Sequence, residues 1–145
     1  LDRQLAALII ATGAAASGME VHLFYTFWAT TALRHPKRKA RKSVMGKMFG
    51  AMLPRGSRKL KLSRMQMMGM GPIMIRRVMK NKGTASLEEL FEVAAELDVR
   101  IHVCSMSMGL LELEQSEFID YPGLDFVGVS AFVELTASAK STLFV

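Results

Sequence analysis

Apolar positions along the chain change their period several times, and each change marks an element. Over residues 2–17 the spacing of Leu5, Leu8, Ile9 and Thr12 traces one face of a helix, with Asp2 as its expected N-cap and Gly18 as its stop. Residues 20–27 are then almost continuously apolar and rich in branched and aromatic side chains, the pattern of a strand buried on both faces, and a short helix is expected over 28–34. Met45, Met48 and Met52 fall at helical spacing and predict an amphipathic helix near 43–52. Another is expected over 72–80, with Pro72 in its first turn. Ser86-Leu87-Glu88-Glu89 is a capping box, so a helix over 87–97 is expected to bury Leu90, Phe91, Ala94 and Leu97. A strand over 99–104, a short helix over 107–113, a turn at Pro122-Gly123, a strand over 126–129, a helix over 131–139 and a last strand over 142–145 complete the series.

Strands alternating with helices imply parallel pairing, right-handed crossovers and helices on both faces of the sheet. The expected fold is therefore α/β: a three-layer α/β/α arrangement with a mainly parallel sheet, of flavodoxin or Rossmann-like kind. Its ligand site belongs at the carboxyl ends of the strands. With 145 residues, half of them hydrophobic, one domain over 1–145 is expected. The longest weakly polar stretch, 5–18, is shorter than the roughly 20 apolar residues a membrane span needs. It runs straight into strand-like sequence, so a secretory signal is not expected either.

Charge divides this pattern in two. Residues 21–87 hold sixteen Lys and Arg and no acid, whereas residues 88–145 hold eleven acids and two bases, within a net charge of +6. Twelve of those sixteen bases lie in 34–64, and nine of the twelve methionines fall between Met45 and Met79, so a basic, Met-rich insertion is expected at about 35–72. Such a segment fits an anionic protein, a membrane surface or pairing within an oligomer. Apolar methionines on a basic arm would be poorly covered in a monomer, so a homo-oligomer is expected. Nucleic acid is less well suited, because only Phe49 interleaves the charges as a stacking surface.

The lone cysteine, Cys104, excludes an internal disulfide and fits a reducing cytoplasm, with membrane association open. It stands at the expected end of a strand and just before a helix, where free main-chain NH groups of Ser105, Met106 and Ser107 would favour a thiolate. A buried, inert core thiol is the competing reading. His22, His35 and His102 do not make a metal-ligand set, and no cofactor or metal is expected. Gly69-Met70-Gly71-Pro72 lacks the rest of a phosphate-loop signature.

Cys104-Ser105-Met106-Ser107-Met108, Phe118-Ile119-Asp120, Gly128-Val129 and Thr142-Leu143-Phe144 together resemble the DsrE/DsrF-like proteins. So do Gly13-Ala14-Ala15-Ala16-Ser17-Gly18-Met19-Glu20-Val21, Phe24-Tyr25-Thr26-Phe27-Trp28 and the Met65 to Met79 stretch, which look like the subgroup labelled DsrE-like or peroxiredoxin-like. The resemblance implies a DsrEFH-like fold, self-association and a cysteine that binds persulfide or thiosulfonate sulfur in relay with rhodanese-like and TusA-like carriers. Carried over by motif, Cys104 is the active cysteine, with Ser105, Met106, Ser107, Trp28 and Gly128 around the bound sulfur. Ala29 stands where Gly usually follows the Trp, Gly109 replaces an acid, and Glu112 stands where Gly is common. The family usually opens with a strand and a glycine-containing loop, so a strand ahead of Leu1 is expected.

Two functions follow as expectations. One is a sulfur carrier or sulfurtransferase acting through a Cys104 persulfide; catalytic turnover is less well supported than carrying, since no second cysteine or clear general base accompanies it. The other is a non-enzymatic interaction module that uses its basic arm. A peroxidase would need a resolving thiol that the chain must borrow.

Overall fold

The computed structural model describes residues 1–38, 40, 44–64 and 66–145, apart from the side chains of Val44, Met45 and Phe49. The sequence expectations on Lys39, Arg41, Lys42, Met65 and the Met45 and Phe49 side chains lie outside the described residues. Helix α1 (Asp2–Ala16) leads to strand β1 (His22–Tyr25) and a 3-10 turn over Phe27–Leu33; α2 (Val44–Met52) and α3 (Met70–Asn81) follow. Then come α4 (Leu87–Glu96), β2 (Arg100–Cys104), α5 (Ser105–Leu110), β3 (Leu124–Val127) and α6 (Val129–Ser138).

The sheet is three-stranded, ordered β1-β2-β3, and parallel throughout. Because side chains alternate across a strand, one face carries Leu23, Tyr25, Ile101, Val103, Leu124 and Phe126. This face meets α1 and α4, which pack on each other through Leu5, Leu8, Ala11, Leu90, Phe91 and Ala94. Ile101 and Val103 are wholly buried there, Phe118 meets Phe126 edge-on, and Tyr121 meets Phe91 edge-on and donates its hydroxyl to the Val99 carbonyl at 2.7 Å. The opposite face carries His22, Phe24, His102, Cys104, Asp125 and Val127; α6 reaches it through Phe132, whose ring lies 5.0 Å from that of Phe24.

Several sequence expectations need correction. The capping box forms as expected, with Ser86 Oγ accepting from the Glu89 NH, but Leu97 is only half-buried. Strand β1 is half-buried except at Tyr25, because β1 has a strand neighbour on one side only and α6 covers its outer face sparsely. Asp2 is not the N-cap. Leu1 is, and the Asp2 carboxylate accepts instead from the Ser63 NH at 3.0 Å and the Ser63 hydroxyl, tying α1 to the insertion. Residues 142–145 form no strand: Leu143 and Phe144 are exposed, and an apolar run becomes a strand only where a neighbouring strand takes its hydrogen bonds. Glu112 adopts φ 47°, in the left-handed region, which explains why glycine suits that position. At Gly109 an added Cβ would meet nothing within 4 Å, so the acid usual there would fit.

A buried ion pair pins the start of the basic insertion to the segment ahead of β3. Arg34 Nη2 lies 3.0 Å from Glu117 Oε1, with both side chains essentially inaccessible, and Arg34 Nη1 makes long contacts of 3.5 and 3.4 Å with the Leu53 and Pro54 carbonyls. His35 NH donates to the Glu117 carbonyl and Ile119 NH to that of Leu33. Gly56 completes the joint: its φ is +78°, and a Cβ there would come 3.0 Å from the Arg34 carbonyl. Among the described residues no helix is long and apolar enough to cross a membrane.

Candidate functional site

Three strand ends lie side by side at one edge of the sheet: Tyr25 leading to Thr26, Cys104 beside Val127, and Val127 leading to Gly128. Parallel pairing brings them together although they are far apart in sequence. Cys104 occupies the N-cap position of α5, where its backbone is still extended and the next NH groups are not yet used by the helix.

Thr26 Oγ1 and Ser107 Oγ lie 2.8 Å apart beside the Cys104 thiol. One hydroxyl proton joins the pair, which leaves the other free to point at the sulfur. Burial pushes the Cys104 thiol up, but hydrogen bonds from the Ser107 hydroxyl and NH, the Thr26 hydroxyl and the Met106 NH outweigh it and hold the pKa below the usual thiol value. An inert core cysteine would have the burial without the donors. Cys104 is 3 % exposed. The thiol sits at the carboxyl end of the central strand.

The other expected site residues take different positions. Ser107 is wholly buried against the thiol, and the Met106 NH bonds to the sulfur while its side chain points to solvent. Ser105 Oγ turns away to the Val127 carbonyl at 3.0 Å, so its hydroxyl fastens α5 to β3. Trp28 is 62 % exposed in the 3-10 turn, which lies against α5 and β2. Gly128 caps α6 at the neighbouring strand end, where its φ of −81° and open surroundings do not demand glycine.

Sequence reasoning missed Thr26 and Phe27. Phe27 holds φ 44°, a conformation that costs a bulky residue roughly 1 to 3 kcal/mol, and it directly follows Thr26. The Thr30 and Thr31 hydroxyls donate to the Phe27 and Trp28 carbonyls, both at 2.6 Å, and hold that turn. A threonine at a strand end is too ordinary a signal to single out; only the fold brings it to the thiol.

The model of the DsrE/DsrF/DrsH-like family matches residues 1–144. The chain belongs to this family. Among relatives, this DsrE-like chain is 42 % identical over 145 residues to uncharacterized protein YrkE of Bacillus subtilis (strain 168), covering 99 % of this chain and 89 % of that protein. It is 34 % identical over 149 residues to sulfur carrier protein DsrE2 of Allochromatium vinosum, covering 100 % of this chain and 91 % of that protein. The parallel sheet agrees with the α/β fold expected of DsrE-like proteins.

Proposed function

We propose that this DsrE-like chain works in sulfur metabolism as a carrier, or as a sulfurtransferase, holding sulfane sulfur on Cys104 as a persulfide. One observation carries the reading: the paired Thr26 and Ser107 hydroxyls and the Met106 and Ser107 NH groups are gathered at a nearly buried thiol and favour its thiolate against the cost of burial. The likeness to a relative named as a sulfur carrier supports it. In the loading step the Cys104 thiolate attacks the outer sulfur of a donor persulfide, the donor's S–S bond breaks, and the donor departs as a thiolate. An acceptor thiolate then attacks the outer sulfur on Cys104 and regenerates the first thiolate. No net oxidant is needed, since each step exchanges one S–S bond for another.

The donor and acceptor in this reading are proteins that present their own cysteine, of the rhodanese-like and TusA-like kind, in the cytoplasm. A thiosulfonate is the alternative cargo. The test is intact mass after incubation with polysulfide, thiosulfate or tetrathionate, beside Cys104→Ser. The wild type gains sulfur or a thiosulfonate that reductant removes, and the variant gains nothing. A native thiol that stays unmodified while the denatured chain reacts would overturn the reading.

A second reading, an interaction module, has its own observation. Helix α3 buries only Gly71 and exposes Met70, Ile73, Met74 and Val78, beside Arg77, Lys80 and Lys82. A basic helix with an apolar stripe fits a membrane surface, an acidic protein or a second copy of the chain. Salt-sensitive binding to anionic but not zwitterionic vesicles would favour the first of these, and a concentration-dependent mass the last.

A further inference from the structure

The segments that follow the three strands form one rim at the carboxyl end of the sheet, with Cys104 in the middle strand. The hydrogen bond between Thr26 and Ser107 ties the end of β1 to α5, the Ser105 hydroxyl ties α5 to the end of β3, and the 3-10 turn after β1 lies against α5 and β2. Each segment carries two exposed apolar side chains: Phe27 and Trp28 in the turn, Met106 and Leu110 one helical turn apart on α5, and Val129 and Val133 one turn apart on α6. These six are between 44 and 62 % exposed, while the thiol between their segments is 3 % exposed.

The rim is also free of charge. No Asp, Glu, Lys or Arg occurs in residues 23–33, 103–111 or 126–133, in a chain of which 22 % is charged, so the gap is local and does not follow from composition. Of the charges that bound these stretches, Arg34 is buried against Glu117, and Asp125 bonds His102 on the outer face of the sheet.

A charge brought against such a rim loses its water and finds no counter-charge, whereas apolar side chains on a partner gain by burying the exposed six. A small hydrophilic sulfur compound touches few of them. A protein segment is wide enough to cover them while it brings its own sulfur to the thiol.

We propose that this rim selects the exchange partner of Cys104, favouring a cysteine set among uncharged, apolar residues of another protein over one set among acidic or basic residues. The selection rests on Cys104 being a sulfur-exchanging thiol and specifies what surrounds the sulfur it meets. It also separates two surfaces of the molecule, because the basic insertion would choose the opposite partner, an acidic one.

The test uses the full chain and three short peptides, each with one cysteine held as a mixed disulfide with 2-thiopyridine and flanked by neutral apolar, acidic or basic residues. The Cys104 thiolate attacks the peptide sulfur, the S–S bond breaks, and the thiopyridyl group leaves as a thiolate that takes a proton to become the thione, whose absorbance gives the rate. Rates are divided by those of the same peptides with mercaptoethanol, which removes each peptide's own reactivity. The neutral peptide is expected to react about tenfold faster than either charged one, since burial of one apolar side chain is worth that factor or more, and to depend little on salt. In Trp28→Lys and Leu110→Lys, both at exposed positions, the ratio of the acidic to the neutral rate should rise. Equal rates for the three peptides, or an acidic preference that salt abolishes, would overturn the selection, the latter by placing the basic insertion at the entrance. So would a neutral rate that falls as protein concentration rises, because a second copy would then cover the rim. A folded chain that reacts with none of the peptides, beside an unfolded chain that reacts with all, would instead sink the reading of Cys104 as an exchanging thiol.

Discussion

Helices α3 and α4 are neighbours in sequence and similar in length, and both are amphipathic, yet they end in opposite situations. Leu87, Leu90, Phe91 and Ala94 of α4 are buried against α1 and the sheet, while α3 leaves Met70, Ile73, Met74 and Val78 in solvent and buries only a glycine. An apolar stripe thus establishes that a helix has something to bury without saying what covers it. Packing energy belongs to the half that contains α4. The basic insertion is held to it by a few polar joints and by Leu53 and Leu60, which enter the core.

The joint at Arg34 offers the strongest way to break that contrast. Arg34→Leu leaves the Glu117 carboxylate in a wholly buried position and should cost about 3 to 5 kcal/mol, read from urea unfolding. A loss below about 1 kcal/mol, the level of an exposed pair, would mean that the joint is not dry. Next comes a matched pair on the two helices. Leu90→Ala should cost about 2 to 5 kcal/mol through lost burial and a cavity, whereas Val78→Ala should stay within about 0.5 kcal/mol. A large effect at Val78 that depends on protein concentration would show that a second copy covers α3 in solution.

The packed half also holds the polar site, so smaller substitutions there should be read in the thiol and not in the fold. Ser107→Ala removes a group that holds the Cys104 thiol below its usual pKa and should raise the pH midpoint of alkylation, slowing the reaction at neutral pH. Thr26→Val should shift it in the same direction, since both hydroxyls act on one sulfur.

Asp2 gives the smallest effect, at the joint between α1 and the insertion. Burial raises its carboxyl, but the hydrogen bonds from Ser63 outweigh that and bring it down to about 2. Its contribution is therefore present above about pH 4, the unfolded value, and is lost as pH falls through about 2. Asp2→Asn should lower stability slightly at neutral pH, leave it nearly unchanged below about pH 2, and so flatten that part of the acid unfolding curve.

Much of this was legible before the fold was known. The capping box announced α4, six of the seven expected helices are α-helices while the one over 28–34 is a 3-10 turn, three of the four expected strands form, and Cys104 was expected at a strand end, where it stands. These features depend on neighbours a few residues away. Residues 142–145 misled because an apolar run looks the same whether or not a strand lies beside it, and β1 misled because its continuous apolar character says nothing of how thinly α6 covers it.

By itself, then, the sequence determined the local elements, their parallel alternation, the division into a basic and an acidic half, and the residue that carries the thiol, because periodicity, capping and charge are short-range properties written in consecutive residues. Tertiary structure alone decided that Thr26 meets Ser107, 81 residues away, that Arg34 meets Glu117 across 83, and that His22 meets His102 across 80. The histidine pair depends on strand register, since a one-residue slip would turn its side chains to the other face of the sheet, and the other two pairs depend on where the segments beyond the strands come to lie.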